Sequence, residues 1–135
     1  MINYTDLQQK IKKIEGPIFV FGASGFIGIN IFHDIFSVRK DCYAITHDAI
    51  NAWRLKLLDV PHNNIIHCDI TSLISVKNIF EKYKPKTIFN LAAYGAYSKQ
   101  KDVRLIYETN VNGTVNILEN CEHVKSYIHA GSSSE

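Results

Sequence analysis

Pro17-Ile18-Phe19-Val20-Phe21-Gly22-Ala23-Ser24-Gly25-Phe26-Ile27-Gly28 decides how the rest of this chain reads. The run from Ile18 to Phe21 is apolar, aromatic and β-branched, too short for a buried helix, and bounded by proline and glycine, so it predicts a strand. From Phe26 onward Ile27, Ile31 and Ile35 recur at every fourth residue, which predicts a helix over 26–36 with these three on its apolar stripe. Between them, Gly22 suits a tight turn, Gly25 lets backbone approach a ligand with no Cβ in the way, and Gly28 lets the helix pack closely. The first amides of that helix and the positive end of its dipole face the turn, an arrangement suited to phosphates. Gly22, Ser24, Gly25, Phe26, Ile27 and Gly28 are therefore read as holding the diphosphate of a dinucleotide. The alternative is a glycine-rich structural turn, against which the strand–turn–helix context argues.

Outward from this unit the same alternation recurs. Strands are expected at 17–21, 42–46, 65–68, 87–92 and 126–130, with helices near 52–58, 75–83 and 103–121. Ahead of them, Thr5-Asp6-Leu7-Gln8 fits a capping box, and Leu7, Ile11 and Ile14 continue at helical spacing until Gly16-Pro17. Residues 1–15 are thus a leading helix and 16–135 a dinucleotide-binding domain. Apolar strands alternating with helices imply an α/β fold with a doubly wound parallel sheet. Right-handed crossovers and a glycine-rich first turn favour the Rossmann strand order 3-2-1-4-5 over the flavodoxin-like one.

Composition is consistent with one domain. The 135 residues are 46% hydrophobic, and 15 basic against 13 acidic side chains leave a formal charge of +2 with no charged block. No nucleic-acid or membrane partner is expected. No apolar stretch approaches the roughly 20 residues of a membrane span. Cys42, Cys68 and Cys121 are widely spaced and odd in number, which reads as reduced, mostly buried thiols of a cytoplasmic protein. The triplets Asn3-Tyr4-Thr5 and Asn112-Gly113-Thr114 then have no role as glycosylation sites. The six histidines lack ligand spacing, so no metal is expected.

Two residues separate the first two glycines of the turn, and this spacing resembles the extended short-chain dehydrogenase/reductase family, the NAD-dependent epimerases and dehydratases. Further segments agree. Asp69-Ile70 after strand 3 is similar to the family's adenine-binding pair, although Asp69 could equally cap a helix beginning near Thr71. Asn90-Leu91-Ala92-Ala93 resembles the segment whose small residues lie under the nicotinamide ribose, with Tyr94 beside it. Thr109-Asn110-Val111-Asn112-Gly113-Thr114 resembles a helix motif whose first asparagine, Asn110, stabilises the sheet and the cofactor region. Ala130-Gly131-Ser132-Ser133-Ser134-Glu135 is similar to the serine-rich segment that carries the catalytic hydroxyl, implying Ser132, with Ser133 next. The resemblance also implies a Tyr-x-x-x-Lys pair on a helix after strand 5. One such pair occurs, Tyr97-Ser98-Lys99-Gln100-Lys101, but it precedes the Asn110 helix and is read as a chance match. The chain is accordingly expected to be the N-terminal part of a longer enzyme, lacking turnover by itself.

The resemblance implies NAD or NADP as the cofactor. An acid after strand 2 would bind the ribose hydroxyls, and a base would take a 2′-phosphate. The sequence offers His47 and Arg54 for the second and Asp48 for the first, and the balance is toward NADP. The resemblance implies a nucleotide-sugar substrate and a homodimer built through the helix at 103–121. A non-catalytic NAD(P)-binding or redox-sensing module is the alternative. A reductase of another substrate class is a third reading, because fold does not fix function.

Overall fold

The computed structural model describes residues 3–95 and 97–131. Five strands, β1 (Ile18–Phe21), β2 (Cys42–Thr46), β3 (Ile65–His67), β4 (Thr87–Asn90) and β5 (Ser126–His129), run parallel in the order β3-β2-β1-β4-β5. This is the doubly wound order expected from the sequence. The helices are α1 (Tyr4–Lys13), α2 (Phe26–Val38), α3 (Trp53–Leu57), α4 (Leu73–Tyr83), α5 (Val103–Tyr107) and α6 (Gly113–Glu119). A π-helical turn, Glu108–Asn112, joins α5 to α6. No helix among the described residues is long and apolar enough to cross a membrane.

All four residues of β1 are buried because side chains alternate across a sheet covered on both faces. Ile18 and Val20 face one layer, with Ile11 of α1, Phe32 and Ile35 of α2 and Leu55 of α3. Phe19 and Phe21 face the other, with Val76, Ile79 and Phe80 of α4 and Ile117 of α6. There the Phe19 ring meets Phe21, Tyr43, Phe80 and Tyr83 edge-on, at centroid distances of 6.0, 6.0, 5.7 and 5.9 Å. Burial of each such ring contributes about 1.5–3 kcal/mol.

Four local expectations are corrected. Helix α2 buries Gly28, Ile29, Phe32 and Ile35, whereas Ile27 is 61% exposed and Ile31 only half-buried. A strict four-residue repeat drifts by about 40° per step on a 3.6-residue helix, so the expected stripe leaves the core face. The N-cap of α1 is Asn3, whose side chain accepts from the Thr5 amide at 3.1 Å, so Thr5 lies inside the helix instead of capping it. The single helix expected at 103–121 is interrupted by the π turn and ends at Glu119. The start of α4 also lies earlier than expected, because Ser72 caps it through the Ser75 amide.

Arg39 fastens α1 to this body. Its guanidinium donates to the carbonyls of Ile11 and Ile14 and grips Asp41 through two bonds of 2.7 and 2.6 Å. That pairing holds the Asp41 carboxyl below the usual carboxylate range.

Candidate functional site

The carboxyl ends of parallel strands leave a crevice where crossovers diverge to opposite faces. Here β1, β2, β3 and β4 end around a cavity of about 490 Å³. Gly22 leaves β1 at φ +73°, and a Cβ on it would stand 2.7 Å from the Leu91 carbonyl oxygen and 2.9 Å from the Ala92 amide. Only glycine permits both the backbone conformation and the approach. A Cβ on Gly28 would overlap the Gly22 carbonyl oxygen, so the first turn of α2 sits directly against the turn from β1. Gly25 is the N-cap of α2 and lines the cavity beside Gly22 and Ser24. The opening amides of α2 have no partner inside the helix. The helix amides and the Ser24 hydroxyl offer donors there, and the missing Cβ atoms leave room for an anionic group to approach them.

Beyond β2, Thr46 and His47 line the cavity, and the Thr46 hydroxyl bonds the Ser24 hydroxyl at 3.1 Å. Asp48 points elsewhere: its carboxylate accepts from the Asn51 amide at 3.0 Å and from the Asn51 side chain at 2.9 Å. Those bonds hold the Asp48 carboxyl below its ordinary range. Arg54 of α3 reaches back to the Ser24 carbonyl at 3.2 Å, and its guanidinium lies 4.3 Å over the Trp53 ring. After β3, Asp69 and Ile70 line the cavity. One Asp69 oxygen also accepts from the amide and hydroxyl of Thr71, so this acid shapes the turn into α4 while facing the cavity.

After β4, Ala92, Ala93 and Tyr94 form the opposite wall. Asn110, within the π turn, pins this wall: its carbonyl accepts from the Tyr94 amide at 2.8 Å and its amide donates to the Tyr94 carbonyl at 2.9 Å. Behind it, Asn90 is fully buried. Its oxygen accepts from the Ala92 amide at 3.3 Å, and its nitrogen donates to the Tyr127 hydroxyl at 3.0 Å and to His129 Nδ1 at 3.3 Å. Because an amide NH₂ only donates, His129 Nδ1 must carry a lone pair there.

The sequence profile of the NAD dependent epimerase/dehydratase family matches residues 18–135. The chain belongs to this family. It is 30% identical over 132 residues to a UDP-glucuronate 4-epimerase of Thermodesulfobacterium geofontis, an alignment covering 88% of this chain and 40% of that protein. It is 31% identical over 121 residues to a dTDP-glucose 4,6-dehydratase of Haemophilus influenzae, covering 83% of this chain and 34% of the relative. Among solved structures, the Thermus thermophilus UDP-glucose 4-epimerase, in complex with NAD, superposes with a TM-score of 0.63 at 25% identity, covering 77% of this chain and 33% of that one. The chain therefore spans two fifths or less of the length of these family members.

Of the residues singled out in the sequence, Gly22, Ser24, Gly25, His47, Asp69, Ile70, Ala92, Ala93 and Tyr94 converge on the one cavity. Gly28, Arg54 and Asn110 stand behind its walls, each bonded to or packed on a lining segment. Phe26 and Ile27 open α2 with exposed side chains, leaving only their backbone for the site. Ser132 and Ser133 lie outside the described residues. Sequence reasoning missed Thr46, Gln100, Leu105 and Thr109 in the lining. Thr109 was findable as the neighbour of Asn110, whereas nothing in the sequence pattern marks Gln100. No group of three or more metal-ligating side chains occurs among the described residues.

Proposed function

We propose that this chain binds NAD(P) across the cavity and forms the cofactor-binding part of an enzyme that epimerises, dehydrates or reduces a nucleotide-activated sugar. The observation that carries the reading is the convergence on one crevice of the glycine turn, the Asp69-Ile70 turn and the small residues after β4. The named activities of the relatives support the substrate class. When bound, the cofactor supplies reversible hydride transfer at a sugar carbon. The chain's own residues bind and orient. Gly22, Ser24, Gly25 and the opening turn of α2 hold the diphosphate, and Asp69 and Ile70 hold the adenine. Ala92 and Ala93 leave room for the nicotinamide ribose, while Asn110 fixes the height of that wall through Tyr94. The hydroxyl that orients the substrate is assigned to Ser132 or Ser133, and proton transfer is assigned to no residue of this chain.

For the cofactor's ribose we favour a 2′-phosphate. Asp48, the acid that would accept the ribose hydroxyls, is engaged with Asn51, whereas His47 lines the cavity and Arg54 is docked on the Ser24 carbonyl. We also assign a homodimer to the apolar stripe Val103, Tyr107, Val111, Val115 and Leu118, all exposed along α5, the π turn and α6, and a cytoplasmic setting to its reduced thiols.

Titration of NADPH and NADH, read by nicotinamide fluorescence and melting temperature, tests the reading, since a ligand bound only by the native state raises the melting temperature. NADPH should bind the tighter, and Arg54→Ala should remove about 10-fold or more of that preference, in line with one lost charge-assisted bond. Absence of binding by either nucleotide refutes the assignment.

A further inference from the structure

The loop from β4 to α5 folds around one carboxamide. Gln100 Oε1 accepts from the Gly95 amide at 3.1 Å and the Tyr97 amide at 3.2 Å, while the backbone N–H of Gln100 donates to the Tyr97 carbonyl at 2.8 Å. Two N–H groups converging on one atom identify that atom as the oxygen, so the orientation of the carboxamide is fixed by its partners. The other end, Nε2, carries two donors. Among the described residues it has no acceptor, and the half-buried Gln100 side chain lines the cavity.

The immediate neighbours of Gln100 in sequence are both basic. Lys99 and Lys101 flank it in sequence, and the carboxylate of Asp102 is turned back to accept from the Leu105 amide at 3.1 Å, capping α5. A donor pair on a segment with two basic neighbours suits an anionic oxygen better than a cation or a bare apolar surface.

We propose that Gln100 contacts the ligand directly, its Nε2 donating to a diphosphate oxygen while Lys99 and Lys101 supply a favourable field. This rests on the reading of the cavity as a nucleotide site and adds to it a specificity residue outside the glycine turn. Both ligands of that reading, the dinucleotide and the nucleotide sugar, carry a diphosphate.

The decisive variant is Gln100→Glu. A carboxylate still accepts from the Gly95 and Tyr97 amides, so the loop stays braced, but the donor is gone and a negative charge replaces it. Gln100→Ala removes brace and donor together. Calorimetric titration of the full chain with NADPH, and with UDP-glucose at saturating NADPH, reads the result alongside the melting temperature. Gln100→Glu should melt as the unaltered chain does and bind one ligand about 10- to 100-fold more weakly, the range for a lost hydrogen bond to a charged group. Weakened NADPH binding assigns the oxygen to the cofactor, and weakened UDP-glucose binding alone assigns it to the substrate. Unchanged affinity in Gln100→Glu for every ligand that the unaltered chain binds overturns the proposal and leaves Gln100 a loop brace. If the unaltered chain binds neither NADPH nor NADH, the nucleotide reading falls and this role with it.

Discussion

Replacing Gly28 by alanine should unfold the chain more readily, against the usual rule. In a helix interior, Gly→Ala ordinarily stabilises by about 1 kcal/mol. At Gly28 the new Cβ would overlap the Gly22 carbonyl oxygen and stand 2.8 Å from its carbon and 2.9 Å from the Ala23 Cα. These are backbone atoms and cannot swing aside, so the first turn of α2 must lift, taking Ile29 and Phe32 partly out of the core. Overpacking of this kind costs about 1–3 kcal/mol. Partial loss of burial for two side chains adds about 1–2 kcal/mol at about 25 cal/mol per Å². Less the helix gain, the net loss is about 1–4 kcal/mol, or a fall of roughly 3–20 °C in melting temperature for a domain of this size. Equilibrium unfolding in urea measures it. Gly25→Ala is the paired control: there the Cβ would stand 3.2 Å from the Gly22 oxygen, a tight contact that a shift of a few tenths of an ångström relieves, and φ is an ordinary −75°. It should cost about 0.5 kcal/mol or less, yet weaken NADPH binding because Gly25 lines the cavity. A Gly28→Ala chain as stable as the unaltered one would refute the argument.

Other perturbations follow from the same contacts. Asn110→Ala removes both bonds to Tyr94 and should cost about 1–2 kcal/mol, with NADPH affinity falling further than stability alone explains; fluorescence titration and urea unfolding separate the two. Burial, reinforced by Asp41 and opposed by Arg39, pushes the Cys42 thiol from 9.0 up to about 12. Below the lower value the thiol is protonated in both states. Above it only the unfolded chain ionises, so stability falls by up to about 1.4 kcal/mol per pH unit, a loss that Cys42→Ala should abolish when urea unfolding is compared at about pH 8 and 10.5. Val111→Glu, in the exposed stripe, should convert a dimer into monomers in analytical ultracentrifugation with little change in secondary structure by circular dichroism.

What the sequence revealed and what it concealed divide along physical lines. Strand β2 was legible to the residue because an apolar run ends where polar Asp41 and His47 begin. The strand order was legible because handedness and the glycine turn leave few alternatives. The core face of α2 was misread because the eye follows isoleucines, whereas Gly28 and Phe32 also face inward. The π turn left no trace, since one additional residue per turn shifts the phase of a pattern already short of apolar landmarks. At the site, the glycine turn stood out by its spacing between strand and helix, and Asp69 entered through the family resemblance. Asp48 did not, because its engagement with Asn51 depends on how a polar loop closes. The brace at Gln100 is equally invisible, being a side chain that serves backbone amides three and five residues before it.

The central place of β1 bears on how the chain acquires its shape. Ile18 pairs with Cys42 on one side and Thr87 on the other, so the two neighbours of the first strand arrive after 24 and 69 residues. By the logarithmic law for closing flexible loops, the farther pairing costs about 0.9 kcal/mol more entropy. The half-sheet of β1, β2 and β3 is therefore expected to condense first, as synthesis delivers it. Until β4 arrives, the hydrogen-bonding edge of β1 that faces it stays open, which makes this interval the time at which two nascent chains are most exposed to pairing with each other.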